Sequence, residues 1–349
     1  MKIASVGAAF PPHYYSQERL LEEFKRTWSR QLYNQGRLEA LHKNVLVGGR
    51  HLALPIEEYS QLEGWGQSND AWIRVAQDVG EQAVREALAQ ARLEPADVDC
   101  LIFVSVTGVA TPSIDARLVN RLDLSPRVKR LPIFGLGCVG GAAGISRAAD
   151  YVKAYPDEVA VLLSVELCSL TLQLQDLSIP NLISSGLFGD GAAAVIVVGE
   201  ERPASGPRIV ATRSVFYPDT ERVMGWDISE KGFQVVLSAD VPEMARRNLR
   251  QDVDDFLGAQ GLSRSDIVSW VAHPGGPKVV SALETALELQ PDALDLTRES
   301  LETVGNLSST SVLLVLQETM RSRRPEPGSY GMLLAMGPGF CSELVLLEW

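Results

Sequence analysis

An α/β protein of two similar layered halves is what this sequence predicts, on three observations. Near-continuous apolar segments of strand length recur at residues 97–106, 158–165 and 191–198, the pattern of strands covered on both faces. Segments with helical spacing run between such strands, most plainly at 69–93, where Ile73, Val75, Ala76, Val79, Ala83, Val84 and Leu88 recur at helical intervals. After the charged stretch 200–207, which holds two prolines and a glycine, the alternation starts again. This places one half at 1–205 and a second at 206–349. A chain of 349 residues exceeds the usual length of one domain, in keeping with a duplicated layout.

Taken in order, residues 1–7 read as the first strand. Residues 16–61 are polar with a helical pattern, and they carry Arg37, His42, Lys43, Arg50 and His51. A basic residue there can meet a phosphate; a solvated helix face is the plainer reading of each. The helix at 69–93 leads to the strand at 97–106, and the turn at 107–113 opens a further helix. The glycine-rich stretch 131–144 reads as a short buried strand running into a helix whose first turn holds Cys138, and that helix continues to about Tyr155. Strands at 158–165 and 191–198 flank a polar loop at 173–181 and the run Leu187-Phe188-Gly189-Asp190-Gly191. The second half reads as strands 208–216 and 233–237, helix 241–257, strand 267–272, helices 278–289 and 307–320, and strands 330–335 and 342–347.

A formal charge of −12 with no basic cluster argues against nucleic acid, whose phosphates demand Lys and Arg. No apolar run reaches membrane-spanning length, and the opening is too short and too polar for a signal peptide. The chain is expected to be soluble and cytoplasmic. Cys100, Cys138, Cys168 and Cys341 form no CxxC pair and histidines do not cluster, so free thiols are expected and no metal site.

The stretch around Cys138 bears on chemistry. A helix N-terminus presents unsatisfied N–H groups and partial positive charge, which favour a thiolate. On this stretch alone, a buried inert thiol is the other reading. His273 ends a strand in Val271-Ala272-His273-Pro274-Gly275-Gly276-Pro277, at the strand end where α/β proteins place ligands. Asn306 opens a helix in Gly305-Asn306-Leu307-Ser308-Ser309; Asn is also a preferred N-cap, and His273 can be a plain turn residue. The three together point further. Cys supplies a nucleophile, His can hold it as a thiolate–imidazolium pair, and His with Asn can donate two hydrogen bonds to one oxyanion.

In Gly137-Cys138-Val139-Gly140-Gly141, Leu187-Phe188-Gly189-Asp190-Gly191, His273-Pro274-Gly275-Gly276, Gly305-Asn306-Leu307-Ser308-Ser309 and Met336-Gly337-Pro338-Gly339, the chain resembles the type III polyketide synthases. These are relatives of chalcone synthase in the thiolase superfamily, and the resemblance covers nearly the whole chain. The His-Pro-Gly-Gly and Gly-Pro-Gly runs separate it from ketoacyl-carrier-protein synthase III, which shares only Cys, His and Asn. The resemblance implies a thiolase-like αβαβα five-layered sandwich, a homodimer, and an acyl-CoA starter extended with malonyl-CoA without metal or other cofactor. It assigns the starter and growing chain to Cys138, ionisation of that thiol to His273, and the malonyl thioester carbonyl to His273 with Asn306. It makes Phe188 a gatekeeper, places Thr111, Thr171, Val235, Ser308 and the Gly337-Pro338-Gly339 loop around the substrate, aligns Glu166 with Thr171 and Ser308 at positions that tune the cavity and cyclisation, and offers Arg37, Lys43 and Arg50 for the phosphates of CoA.

Three departures bear on product. Val235 stands where the family has a second gatekeeper Phe, Thr111 where plant enzymes place a Met reaching into the partner's cavity, and Val106 where they have a hydroxyl. Val for Phe enlarges a cavity locally. The expectation is a fatty or bulky starter giving alkylpyrones or alkylresorcinols. The alternatives are a ketoacyl-carrier-protein synthase III-like enzyme performing one condensation, a thiol hydrolase, and a non-catalytic binding subunit.

Overall fold

The computed structural model describes residues 1–29 and 34–349; residues 30–33, inside the stretch read as helical, lie outside the described residues. The strands are β1 (Lys2–Ala9), β2 (His13–Ser16), β3 (Gly49–Leu52), β4 (Cys100–Ser105), β5 (Lys129–Phe134), β6 (Val159–Leu167), β7 (Asp190–Val198), β8 (Arg208–Phe216), β9 (Met224–Ser229), β10 (Gly232–Leu237), β11 (Ile267–Ala272), β12 (Tyr330–Gly337) and β13 (Cys341–Glu348). The helices are α1 (Gln17–Thr27), α2 (Gln35–Asn44), α3 (Trp65–Ala91), α4 (Ile114–Arg121), α5 (Gly140–Ala154), α6 (Ile179–Leu187), α7 (Val241–Gly258), α8 (Pro277–Leu287), α9 (Asp295–Val304) and α10 (Ser311–Ser322).

Nine strands are hydrogen-bonded in the order β5-β4-β6-β7-β1-β8-β13-β12-β11. The halves meet where Lys2 of β1 pairs with Arg208 of β8. In the first half β7 runs antiparallel to β1 and β6, while β4 runs parallel to β6 and β5. In the second, β13 runs antiparallel to β8 and β12, and β11 runs parallel to β12. The second half thus repeats the first without its outer strand.

Strand periodicity creates the layers. Successive side chains point to opposite faces, so Ala160 and Leu162 of β6 join one core and Val161 and Leu163 another. Likewise Leu333 and Ala335 of β12 face the central core, and Met332 and Leu334 the far one. α5 and α10 fill the central layer: Val139, Ala142, Ile145, Val312 and Leu316 share one cluster with both halves of the sheet. α3 covers the outer face of the first half through Ala76, Val79, Ala83 and Ala87, and α7 and α8 cover that of the second. The result is the αβαβα sandwich of the thiolase-like fold.

Local readings differ in several places, the strand β3 inside the stretch read as helical among them. The sequence predicts a buried β5, yet the strand is a largely exposed edge, because it has only β4 beside it. α6 begins within the segment 173–181 that reads as a polar loop and runs on to Leu187; Ser178 caps it by accepting from the Asn181 N–H, and Pro180 sits in its first turn. β9, whose cross-strand partner is β10, has no counterpart in the sequence reading, and neither has α9. Among the described residues no helix is long and apolar enough to cross a membrane.

Candidate active site

β5 delivers the chain to a sharp turn. Gly135 and Gly137 have φ of +96° and +51°, a region that side chains disfavour, and Cys138 follows on a 3₁₀ turn (Gly137–Val139) just ahead of α5. A Cβ at Gly137 would lie 2.8 Å from Pro338, and one at Gly337 would lie 2.6 Å from the Val139 nitrogen. The Gly337-Pro338-Gly339 loop therefore lets two backbones meet behind the thiol. Burial pushes the Cys138 thiol up to about 12, opposed by the side chains of Ser308 and Asn306.

His273 directly follows β11. Its backbone N–H donates to Leu334 O of β12 at 3.0 Å, and the turn closes through the Gly275 N–H to His273 O at 2.9 Å. The ring is buried, and neither nitrogen has a hydrogen-bond partner among the described residues. Burial alone lowers it to about 3. Asn306 is stitched to the end of α6: its N–H donates to Leu187 O at 2.9 Å, and its carbonyl accepts from the Gly189 N–H at 3.0 Å. Its side-chain Oδ1 accepts from the Ser308 N–H at 2.8 Å, which leaves Nδ2 to donate toward Cys138.

Cys138, His273, Asn306, Phe188, Val235, Ser308 and Pro338 line one cavity. Three elements from both halves of the fold thus bring together a thiol, an imidazole and an amide. Burial favours the neutral thiol and the neutral imidazole. Moving one proton from Sγ to the ring changes no net charge, and the start of α5 and the Asn306 amide stabilise the thiolate this produces. His273 and Asn306 both line the cavity beside Cys138, and two N–H donors at one oxygen are what an enolate or tetrahedral oxyanion requires.

A second chamber adjoins the first and shares Cys168, Phe188, Trp226 and Val235 with it. Thr171 lines this chamber together with Tyr59, Asn181, Ser184 and Ser185, set among apolar side chains such as Leu20, Phe24, Leu52, Ile56 and Leu172. Trp226 is absent from the sequence reading. It pairs directly with Val235 across the β9–β10 ribbon, and both residues line the two chambers where they adjoin.

Glu166 is fully buried and accepts from Val106 N–H (3.1 Å), Thr107 Oγ1 (2.9 Å), Ser105 Oγ (3.3 Å) and Ser309 Oγ. Burial raises its carboxyl to about 7 despite these donors. Val106 contributes a backbone N–H, and the hydroxyl comes from the next residue. Thr111 is exposed and lines neither chamber of its own chain. Gly337 and Gly339 support the loop and leave the lining to Pro338.

Arg37 and Lys43 are exposed on α2. Arg50 is only 1% exposed, and its Nη atoms are engaged by Gln17 Oε1 and the carbonyls of Ser185 and Gly186, so its burial takes it away from a phosphate at a surface mouth. Among the described residues no three of His, Cys, Asp and Glu converge as metal ligands.

Residues 1–201 match the N-terminal domain of chalcone and stilbene synthases, and residues 208–348 match the C-terminal domain. The chain is 51% identical over 350 residues to a 1,3,6,8-tetrahydroxynaphthalene synthase of Streptomyces peucetius subsp. caesius, covering 99% of this chain and 93% of that protein. It is 31% identical to a phloroglucinol synthase of Pseudomonas fluorescens, covering 97% of each. Among solved structures, the 1,3,6,8-tetrahydroxynaphthalene synthase of Streptomyces coelicolor, a bacterial type III polyketide synthase, superposes with a TM-score of 0.95 at 32% identity, covering 100% of this chain and 99% of that one.

Proposed function

The chain belongs to the chalcone and stilbene synthase family, the type III polyketide synthases, and from that premise we propose that it joins several malonyl units on Cys138 and cyclises them to a polyhydroxylated aromatic of the tetrahydroxynaphthalene kind. The family match over both halves does not favour a single-condensation enzyme of the ketoacyl-carrier-protein synthase III type. The observation that carries the product class is the 51% identity to a tetrahydroxynaphthalene synthase over 99% of the chain. This replaces the expectation of alkylpyrones or alkylresorcinols from a fatty starter.

In this reading the Cys138 thiolate, its proton taken by His273, attacks the thioester carbonyl of the starter CoA ester, and the CoA thiolate leaves with that proton. Malonyl-CoA then loses carbon dioxide. The electron pair of the broken bond becomes an enolate, whose oxygen accepts from His273 and Asn306. The enolate carbon attacks the Cys138 thioester, Sγ leaves as thiolate, and the lengthened CoA ester returns to Cys138 for the next round. Phe188 supplies an apolar face that disfavours the malonyl carboxylate and favours its loss. Arg37 and Lys43 remain the basic residues offered to the phosphates of CoA.

The enzyme works as a homodimer in the cytoplasm. Leu131 and Phe134 on the exposed edge strand β5 support the dimer, and the four free cysteines support the reducing compartment. The deciding experiment incubates purified protein with malonyl-CoA alone and with acetyl-CoA or palmitoyl-CoA added, and reads products by mass spectrometry. Polyhydroxylated aromatics from malonyl-CoA alone, absent in Cys138→Ala, are expected. Products that require the palmitoyl starter would overturn the product class.

A further inference from the structure

Arg50 is among the largest fully buried side chains, and the condensation does not use it. It lies on β3, and its side chain runs to the C-terminal turn of α6. Nη1 donates to Gly186 O at 2.8 Å and to Gln17 Oε1, and Nη2 donates to Ser185 O. Gln17 Nε2 completes the clasp by donating to Gly186 O at 2.9 Å and to His42 O at 3.3 Å. The last carbonyls of a helix have no partner within it and carry partial negative charge, so a forked cation there both satisfies and holds them.

Immediately beyond those carbonyls the chain enters the site. Phe188 is the first residue after α6, Leu187 O holds the Asn306 N–H, and Gly189 N–H holds Asn306 O. The Arg50 stem lies directly behind these segments. A Cβ added at Gly189 would fall 3.1 Å from Arg50 Cβ, and one at Gly305 would fall 3.7 Å from Arg50 Cδ. Charge is balanced locally by Asp190, which interacts with the guanidinium without a direct hydrogen bond and is itself held by Ala53 N–H and Ser169.

We propose that Arg50 is a positioning residue. With Gln17 it pins the end of α6, and so fixes the Phe188 ring and the Asn306 amide relative to Cys138. The proposal rests on the malonyl-condensing reading of the site, and it differs from a phosphate-binding role in what substitution does.

Arg50→Lys keeps the cation and loses the fork. The expected result is a fall of roughly 10–100-fold in kcat for malonyl-CoA decarboxylation, as for misplacement of a reacting group by about 1 Å. KM per folded molecule should stay within about threefold, and some loss of Tm is expected because a carbonyl at the end of α6 loses its donor. Gln17→Leu should move the same readouts in the same direction by less, and it carries the test if Arg50→Lys does not fold. A rise in KM with kcat intact, or unchanged activity per folded molecule, overturns the proposal.

A second readout needs no condensation. Loosening Phe188 should raise the rate at which iodoacetamide alkylates Cys138, measured on its peptide by mass spectrometry. An unchanged alkylation rate overturns the positioning role even if wild-type protein proves inert toward malonyl-CoA, the result that would instead sink the reaction itself.

Discussion

Across the β9–β10 ribbon Val235 faces Trp226, and both line the passage between the two chambers. Val235→Phe adds a ring opposite an indole where no space has been opened for it. Full-length product should fall by about tenfold or more relative to short lactones, as for other changes of one side chain in a pocket wall. Trp226→Ala should do the reverse and admit bulkier starters; product masses that do not move in either variant would show that this passage does not set product size. Glu166 sets a different test. Its carboxyl is raised from 4.5 to about 7 by burial, so between those values the folded state holds more protons than the unfolded chain, and stability from this group is lost as pH rises through 7. Glu166→Gln cannot ionise. Its Tm relative to wild type should therefore climb between pH 5 and 8, and parallel curves in calorimetry would refute the assignment. Cys138, His273 and Asn306 are legible in the sequence because glycines and prolines mark the element ends that carry them. Trp226 is not, because a Trp on a short ribbon belongs to no motif; Glu166 is reached only through its family position, since its donors come from β4, the turn after it, and the 3₁₀ turn Ser308–Thr310.

At the scale of elements, the close contact of α5 with the chain leading into α10 decides what a single methyl does. A Cβ at Gly141 would stand 2.2 Å from the Ser309 carbonyl and 2.9 Å from Val312, with backbone that cannot yield. Gly141→Ala should cost about 1–3 kcal/mol through overpacking, more than the roughly 1 kcal/mol that alanine gains over glycine inside a helix. Gly258, the last residue of α7, has nothing within 4 Å of its added Cβ. There the same substitution should stabilise by about 0.4–1 kcal/mol. Urea midpoints of the two variants on either side of wild type are expected, and two shifts of the same sign would contradict the packing difference. The same physics explains which elements can be read. β4, β6 and β7 are buried along their whole length, so their apolar runs announce them. β5 has an equally strand-like sequence but an open edge, and α6 is built from Ser, Pro, Asn and Gly that read as loop until Ser178 is seen capping it.

For the whole molecule, two halves with the same strand order place Cys138 and Asn306 at matching positions, each just before the central helix of its half. The repeat is legible from the restart of alternation after 200–207; its missing outer strand is not, because β11 is no less apolar than β4. That asymmetry leaves β5 as the edge next to the nucleophile. Leu131 is 43% and Phe134 49% exposed there, with the free side of the strand unpaired, an arrangement that monomers avoid. Phe134 also packs 6.3 Å, centre to centre, from Phe233, whose ring meets Trp226, so a cover on this edge also steadies the chamber wall. Thr111 stands exposed on the turn between β4 and α4, in the position expected to meet a partner's cavity. A second copy pairing along β5, as in the proposed homodimer, would account for these features together. Leu131→Glu should then halve the mass measured by light scattering and lower activity with it, whereas a variant that keeps the wild-type mass and loses activity would separate the edge strand from assembly and leave it a role only in shaping the site.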